Sequence, residues 1–195
     1  MSFWLGLTGS IGMGKSNTAT FFRELGCDVW DADAAVHRLY SQNGDAVASM
    51  REVFPSAIED NAVSRSKLRA ILQQDKSGFE KIEHIVHPLV AQDRQTFAEQ
   101  SRADILVFDI PLLFETGGNK RMNAVACVYV DAETQKKRVL DRGTMSEDDL
   151  TLILQKQMPI EEKLDRSDYI IHTDTLEHAQ NQVREIVSDI LQRIT

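Results

Sequence analysis

The 195-residue sequence has few cysteines and no long hydrophobic run. Its two cysteines, Cys27 and Cys127, lie in apolar stretches without C-x-x-C spacing, which favours buried free thiols over a disulfide or a zinc site. No segment approaches the ~18 apolar residues of a membrane span, and the N-terminus has no basic region followed by a sustained apolar segment. These absences argue against a membrane-spanning or exported protein and predict a cytoplasmic one.

The sequence is also poor in positive charge. Lys and Arg total 22 against 30 Asp and Glu, which gives a formal net charge of −8. General binders of nucleic acid or membrane surfaces need an excess of basic residues on one face, so neither partner is expected. There is no internal repeat, low-complexity tract or long linker, and we predict one continuous unit over residues 1–195.

The strongest motif that is present is a phosphate-binding loop. Residues 9–16 read GSIGMGKS, which fits G-x-x-x-x-G-K-[ST] at every fixed position, and they follow the apolar run Phe3–Leu7. Glycines in such a loop let successive N–H groups curl around a phosphate chain at the start of a helix. Lys15 is predicted to follow the β- and γ-phosphates during transfer, and the Ser16 hydroxyl is predicted to bind Mg²⁺.

Short apolar runs alternate with helical patterns and predict the fold. The runs are Trp4–Leu7, Cys27–Trp30, Ile105–Phe108, Ala124–Val130 and Tyr169–Ile171. Several are apolar at consecutive positions, which is typical of parallel strands buried on both faces. We therefore predict an α/β fold of the P-loop NTPase type, with three layers and a five-stranded parallel sheet.

A long segment between the second and third runs predicts an inserted helical lobe at about residues 34–101. Apolar spacing predicts helices at Ala34–Tyr40, Asp45–Val53, Ser66–Gln74, Phe79–Val86 and Pro88–Ser101. Ser66 is the predicted N-cap of the third helix, and Pro88 is predicted to lie in the first turn of the last. Such a lobe offers a platform for a second substrate.

The predicted core comprises residues 1–33, 102–114 and 124–195. Residues Ile110–Asn123 contain Thr116-Gly117-Gly118-Asn119 and are predicted to form a mobile loop. The second part of this loop falls in a predicted lid region at about 115–145, which overlaps the core.

Carboxylates follow two of the predicted strands. Asp109 ends the third run, and the carboxyl ends of parallel strands meet at the ligand crevice, so we predict that Asp109 helps to bind the metal. Asp33 is a candidate base for an acceptor hydroxyl, and Asp31 is a candidate to orient that acceptor or assist the metal. The alternative role for Asp33 is the N-cap of a helix that begins at Ala34.

Two arginines and one histidine are further candidates. Arg138 and Arg142 are four residues apart, so on a helix they share a face from which they can clamp phosphate oxygens. The alternative is an exposed helix face with no ligand. His87 is a candidate substrate contact, although a lone histidine is more often structural.

Several segments occur in an order that is highly specific. They are LTGSIGMGKS from Leu7, DAD from Asp31, IVHPLV from Ile85 and DIPLLFE from Asp109, followed by the Q-x-x-R-x-x-x-R run from Gln135 and then by Gln157 and Lys163. Over nearly its whole length, the chain resembles the dephospho-coenzyme A kinase family. The phosphate loop alone is shared by many activities, whereas the combination is specific.

The resemblance implies ATP-dependent phosphorylation of the ribose 3′-hydroxyl of dephospho-CoA, the last step of coenzyme A synthesis. It implies that Asp33 is the catalytic base, that Lys15 acts on the phosphates and that Arg142 belongs to the lid. The residues expected to hold ATP are Gly12, Met13, Gly14, Lys15, Ser16, Asn17 and Arg138. The residues expected on the acceptor side are Asp31, His87, Leu112, Leu113 and Glu115, and those for Mg²⁺ are Ser16 and Asp109.

The chain departs from the family pattern at two places. Asn17 stands where the family usually has Thr, so a backbone contact to phosphate is retained there and a hydroxyl contact is lost. Thr173 and Thr175 stand where the family often has Asn and Gly. Contacts to the nucleotide base at that corner are therefore left open.

Three alternative functions compete with this interpretation. Another small-molecule kinase, for a nucleoside monophosphate or a sugar acid, would share the loop and the D-x-D pattern. A GTPase is disfavoured because Asn119-Lys120-Arg121-Met122 lacks the last residue of N-K-x-D. A sensor that binds ATP without turnover would not need an acceptor carboxylate such as Asp33.

Overall fold

The computed structural model describes residues 2–194, which divide into two compact units. One unit consists of residues 31–100, and the other contains the remaining described residues on either side of them. The predicted boundaries of the insertion, 34–101, differ from this division by a few residues.

Strands and helices alternate along the chain. The strands are β1 (Phe3–Thr8), β2 (Asp28–Asp31), β3 (Ile58–Glu59), β4 (Ala62–Val63), β5 (Ile105–Asp109), β6 (Ala124–Tyr129) and β7 (Tyr169–His172). The helices are α1 (Lys15–Glu24), α2 (Ala32–Tyr40), α3 (Val47–Val53), α4 (Arg65–Gln74), α5 (Gly78–Gln100), α6 (Ala132–Asp141), α7 (Glu147–Lys156), α8 (Ile160–Asp165) and α9 (Leu176–Ile194). Short 3-10 helices lie at Pro55–Ala57 and Gly118–Arg121.

Five strands form one parallel sheet in the order β2-β5-β1-β6-β7. In the centre, Leu7 of β1 lies opposite Asp109 of β5 and opposite Ala126 of β6. The predicted α/β fold with a five-stranded parallel sheet is confirmed. Each predicted apolar run coincides with one strand, and the ends differ by no more than one residue. The sheet aligns the carboxyl ends of β1, β5 and β6 along one edge.

The three central strands, β1, β5 and β6, are buried on both faces, which explains why their sequences do not alternate between apolar and polar residues. On one face, Leu5 and Leu7 join the apolar stripes of α1 and α9 in the largest hydrophobic cluster. On the other face, Phe108 packs against Trp4 with 4.7 Å between ring centroids. Helices and loops on both faces therefore give the three layers that the sequence predicts.

The two cysteines are buried free thiols, as predicted. Burial raises the pKa of each thiol to about 11, with Asp28 adding to the effect at Cys27. A thiol that is neutral at physiological pH is a poor nucleophile and a poor metal ligand. Cys27 and Cys127 are therefore core residues.

The unit at residues 31–100 has its own hydrophobic core. Its helices α2, α3, α4 and α5 enclose buried side chains, and β3 pairs with β4 in a small antiparallel hairpin. The buried members are Leu39, Tyr40, Ala46, Val47, Met50, Phe54, Ala57, Val63, Leu68 and Val86. The helical lobe that the sequence predicts thus has a contiguous hydrophobic cluster of its own.

The prediction that Pro88 begins a helix is wrong, because Pro88 lies inside the 23-residue helix α5. Proline removes one backbone donor and normally ends or bends a helix. Here Ile82 and Ile85 before Pro88, and Leu89 and Val90 after it, all pack on the same core. Burial of one continuous apolar stripe offsets the local cost of the proline.

Other predicted details of the lobe also change. The third predicted helix begins at Arg65 and not at Ser66, and its N-cap position is Ser64. Helix α2 begins at Ala32, two residues before the predicted start. Such shifts of one or two residues are common because helix ends are defined by caps that sequence periodicity does not resolve.

The loop predicted to be mobile, Ile110–Asn123, is anchored in part. Leu113 is fully buried and Phe114 is 6% exposed, and both pack with Val125 of β6. Within the predicted lid region at 115–145, β6 is an inner strand of the sheet. Any closing movement is therefore expected in the segments before and after β6.

Among the described residues, no helix is both long and apolar enough to cross a membrane.

Candidate active site

The phosphate loop connects β1 to α1 in the conformation that glycine allows. Gly12 has φ 78° and Gly14 has φ 87°, both in the left-handed region. A Cβ atom on Gly12 would lie 2.4 Å from Cγ2 of Val139, so a larger residue does not fit. The loop ends at the N-terminus of α1, whose first turn has no acidic residue, which suits an anionic ligand.

Lys15 and Asp109 form an ion pair beside this loop. Asp109 ends β5, and its side chain is 3% exposed, whereas the Lys15 side chain is 18% exposed. The parallel register of β1 and β5 places Asp109 beside Leu7, near the end of β1 from which the loop leads to Lys15. The structure thus places a cation and a carboxylate side by side next to the loop. Their roles toward phosphate and metal stay predictions.

These residues fit a magnesium ion that is bound mainly by its ligand's phosphates and by water. Among residues 2–194, no cluster of three or more His, Cys, Asp or Glu side chains could hold a metal by itself. Mg²⁺ in kinases usually takes one or two protein oxygens and keeps several waters. Asp109 supplies one carboxylate, and Ser16 supplies an exposed hydroxyl in the first turn of α1.

A small cavity of about 140 Å³ adjoins the phosphate loop. Its walls come from the loop, from α1, from the end of α6 and from the segment after β7. The lining residues include Gly12, Gly14, Asn17, Phe21, Arg138, Arg142, Thr173, Thr175 and Leu176. One water molecule needs about 10–15 Å³ on this measure, so the cavity has room for a group larger than a single water.

Arg138 and Arg142 both line this cavity, but they differ in their contacts. The Arg138 guanidinium donates to the carbonyl oxygens of Thr173 at 2.7 Å and Asp174 at 3.3 Å. Its position is therefore fixed by the segment after β7, a contact that the sequence does not predict. Arg142 is the exposed C-cap of α6 and precedes Gly143, which has φ 64°.

The segment that contains Glu115 is held by a buried lysine. Lys163 has no exposed side-chain surface, and its Nζ lies 2.8 Å from Oε1 of Glu115 and donates to the carbonyl of Pro111 at 3.1 Å. Burial alone would raise the pKa of Glu115, but hydrogen bonds from Lys163 and from the Met158 N–H lower it below its ordinary value. Glu115 is therefore charged at neutral pH, and Lys163 fixes the loop after β5.

We expect Lys163→Met to destabilise the protein by about 3 kcal/mol, because it leaves the Glu115 carboxylate without its buried partner. Urea unfolding followed by tryptophan fluorescence measures the change. Lys136→Met, which removes an exposed lysine paired with Glu147, is the matched control and should cost less than about 1 kcal/mol. Equal losses of unfolding free energy in the two variants would show that the buried contact of Lys163 stabilises the protein no more than an exposed ion pair does.

The two aspartates after β2 have different local roles. Asp31 is the N-cap of α2, and its Oδ1 accepts a hydrogen bond from the Ala34 N–H at 2.9 Å. The alternative in which Asp33 caps this helix is therefore wrong. Asp33 lies in the first turn of α2 and is exposed, so its carboxylate is not used as the cap.

The remaining predicted acceptor contacts differ in exposure. His87 is an exposed residue of α5. Leu112 is 41% exposed, whereas Leu113 is fully buried and packs against Val125 of β6. Of these two leucines, only Leu112 offers surface to a ligand.

From the sequence, no role is assigned to three residues that contact the loop or line the cavity. Gln135 donates to the Ile11 carbonyl of the phosphate loop, and Thr173 donates to the Met13 carbonyl. Thr175 lines the cavity, although its departure from the family pattern had left it out. The family pattern includes a glutamine at position 135. No local sequence pattern shows, however, that this side chain contacts the Ile11 carbonyl, which is distant along the sequence.

Comparison with known proteins assigns the chain to a protein family. A family model described as dephospho-CoA kinase matches residues 3–178, which is most of the chain. The chain belongs to the dephospho-CoA kinase family. The match spans the phosphate loop, the unit at residues 31–100 and the segment after β7.

Relatives support the dephospho-CoA kinase family at high identity. A dephospho-CoA kinase from Ruegeria pomeroyi is 60% identical over 190 residues, which cover 97% of this chain and 96% of the relative. Among solved structures, a protein from Thermus thermophilus has a TM-score of 0.85 at 26% identity, covering 100% of this chain and 98% of that one. A dephospho-CoA kinase from Campylobacter jejuni, at 23% identity and a TM-score of 0.73, has the same fold over 100% of both chains.

Proposed function

We propose that this chain transfers the γ-phosphoryl group of ATP to the ribose 3′-hydroxyl of dephospho-CoA, which yields coenzyme A and ADP. The observation that supports this most strongly is the family match over residues 3–178, together with an intact phosphate loop whose Lys15 contacts Asp109. A nucleoside monophosphate kinase, a GTPase or a non-catalytic sensor fits this combination less well.

On the ATP side, the backbone N–H groups of residues 12–17 bind the phosphates, and Lys15 moves with the charge of the transferred group. The positive end of α1 adds to this attraction. The cavity between α1, α6 and the segment after β7 receives the base. Arg138 forms part of its wall, and Arg142 closes over the phosphates from the end of α6.

Magnesium is the expected metal, and Ser16 and Asp109 are the residues that would hold it. When bound, Mg²⁺ neutralises phosphate charge that develops during transfer. Lys15 contributes in the same direction, because it places a fixed positive charge beside the loop. The negative side chain of Asp109 keeps this lysine oriented until the ligand arrives.

On the acceptor side, Asp33 accepts the proton of the 3′-hydroxyl as the oxygen attacks phosphorus. The Asp33 side chain is exposed and does not cap α2, so its carboxylate is available for this role. Asp31 fixes the start of α2 and thereby the position of Asp33. His87, Leu112 and Glu115 contribute to binding dephospho-CoA, and Leu113 supports Leu112 from the core.

The reaction takes place in the cytoplasm, where free thiols such as Cys27 persist.

A panel of acceptors tests the assignment. The protein with ATP and Mg²⁺ is expected to release ADP rapidly with dephospho-CoA and at background rate with nucleoside monophosphates, gluconate or shikimate. A coupled ADP assay measures each rate. Faster turnover of a nucleoside monophosphate or sugar acid would reassign the acceptor, and ATP binding without turnover on any of them would support the sensor alternative.

A further inference from the structure

Two carbonyl groups of the phosphate loop are held from outside by side chains of distant elements. Gln135, on α6, is 5% exposed, and its Nε2 donates to the Ile11 carbonyl at 2.7 Å. The C-terminal part of the loop is held in the same way by Thr173, which is 6% exposed and follows β7. Its Oγ1 lies 2.8 Å from the Met13 carbonyl.

The Thr173 hydroxyl is committed to this contact. A hydroxyl has one hydrogen, and the 2.8 Å distance to the Met13 carbonyl is shorter than the 3.3 Å distance to the Tyr129 carbonyl. The oxygen of the same hydroxyl accepts from Arg138 at 3.3 Å, and Arg138 also holds the Thr173 carbonyl. Thr173 is therefore fixed before it acts on the loop.

Because a peptide bond is planar, a hydrogen bond that fixes a carbonyl group also orients the N–H group of the same peptide. In a trans peptide, the carbonyl of one residue and the N–H of the next point in opposite directions within one plane, and no peptide bond among residues 2–194 is cis. Fixing the Ile11 carbonyl outward therefore aims the Gly12 N–H away from Gln135. Fixing the Met13 carbonyl aims the Gly14 N–H away from Thr173 in the same manner.

We propose that Gln135 and Thr173 are positioning residues that preorganise the phosphate loop for the triphosphate of ATP. This inference rests on the proposed function, since it concerns the same nucleotide site. Without the anchors, these peptides have more conformational freedom, and binding a phosphate chain must first order them. With them, two glycine N–H groups are already oriented when the ligand arrives.

Isosteric variants that remove only the donors test the proposal. Gln135→Met and Thr173→Val should each bind ATP with Mg²⁺, and inorganic triphosphate, roughly 10-fold more weakly, because each loses one hydrogen bond that orders the loop. The KM for dephospho-CoA should stay within about two-fold of wild type, because residues that orient only the phosphate loop do not change binding of the acceptor. Thr173→Ser retains the hydroxyl and should restore most of the affinity.

Two controls separate loop anchoring from the loss of any side-chain hydrogen bond. Gln180→Met removes a contact to Glu24, and Thr151→Val removes a contact to the Glu147 carbonyl. Both should bind ATP and triphosphate like wild type. Calorimetry gives the affinities, steady-state kinetics give both KM values, and thermal unfolding shows that each variant is folded.

The possible outcomes are distinct. Wild-type affinity for triphosphate in folded Gln135→Met and Thr173→Val would overturn the inference. So would a weakening that affects adenosine as strongly as triphosphate, because that result would assign Thr173 to the base cavity alone. Failure of Thr173→Ser to restore affinity would assign the effect to packing. If wild-type protein binds ATP but does not phosphorylate dephospho-CoA, the proposed function fails while the inference about the loop stands.

Discussion

Lys15→Met is expected to lower kcat roughly 1,000-fold while the chain remains folded. Lys15 places a positive charge where negative charge develops on the transferred phosphoryl group, and removing one such preorganised donor commonly costs 100- to 1,000-fold or more. Methionine keeps the aliphatic stem of the side chain and removes only its charge. Single-turnover kinetics with saturating ATP and dephospho-CoA measure the chemical step directly.

A stability effect accompanies this loss and must be separated from it. Asp109 is nearly fully buried and is paired with Lys15, so removal of the lysine should also lower the unfolding temperature. Lys136→Met removes an exposed lysine from α6 and should leave kcat unchanged. A folded Lys15→Met protein with kcat within five-fold of wild type would contradict the role given to Lys15.

Asp33→Asn is expected to lower kcat roughly 100- to 10,000-fold and to leave the affinity for ATP near its wild-type value. The substitution keeps the shape of the side chain but removes its ability to accept the hydroxyl proton at neutral pH. Because Asp31 and not Asp33 is the N-cap of α2, the free energy of unfolding should change by no more than about 1 kcal/mol, the magnitude of a charge in the first turn of a helix.

Asp60→Asn is the matched control for this variant. Asp60 is an exposed residue with φ 45° in the hairpin turn of the same unit, a conformation that asparagine tolerates. Its rate and its stability should be unchanged. If Asp33→Asn retained full kcat, Asp33 would not be the base; if it lost stability and rate together, a structural role would replace the catalytic one.

The parts of the fold that follow local rules were predictable from the sequence. The phosphate loop depends on glycines at fixed positions, and Gly12 and Gly14 adopt the left-handed angles that only glycine reaches easily. The strands were predictable because burial on both faces leaves uninterrupted apolar runs. Asp109 was placed at the site because a residue that ends a parallel strand reaches the ligand edge.

The parts that depend on packing between distant segments were not predictable. Pro88 was expected to begin a helix, yet a continuous apolar stripe keeps α5 intact through it. Thr173 and the Met13 carbonyl are 160 residues apart in sequence, and Gln135 and the Ile11 carbonyl are 124 apart. A side-chain contact with a backbone carbonyl at such separation leaves no periodicity or motif to detect.

The identity of the reaction product tests most directly whether this chain phosphorylates one hydroxyl of one acceptor. The purified protein is incubated with ATP, Mg²⁺ and dephospho-CoA, and the product is analysed by mass spectrometry and phosphorus NMR. We expect a gain of one phosphoryl group at the ribose 3′-oxygen, in equal amount to the ADP formed. ADP formation with unmodified dephospho-CoA, or a phosphoryl group at another position, would contradict it.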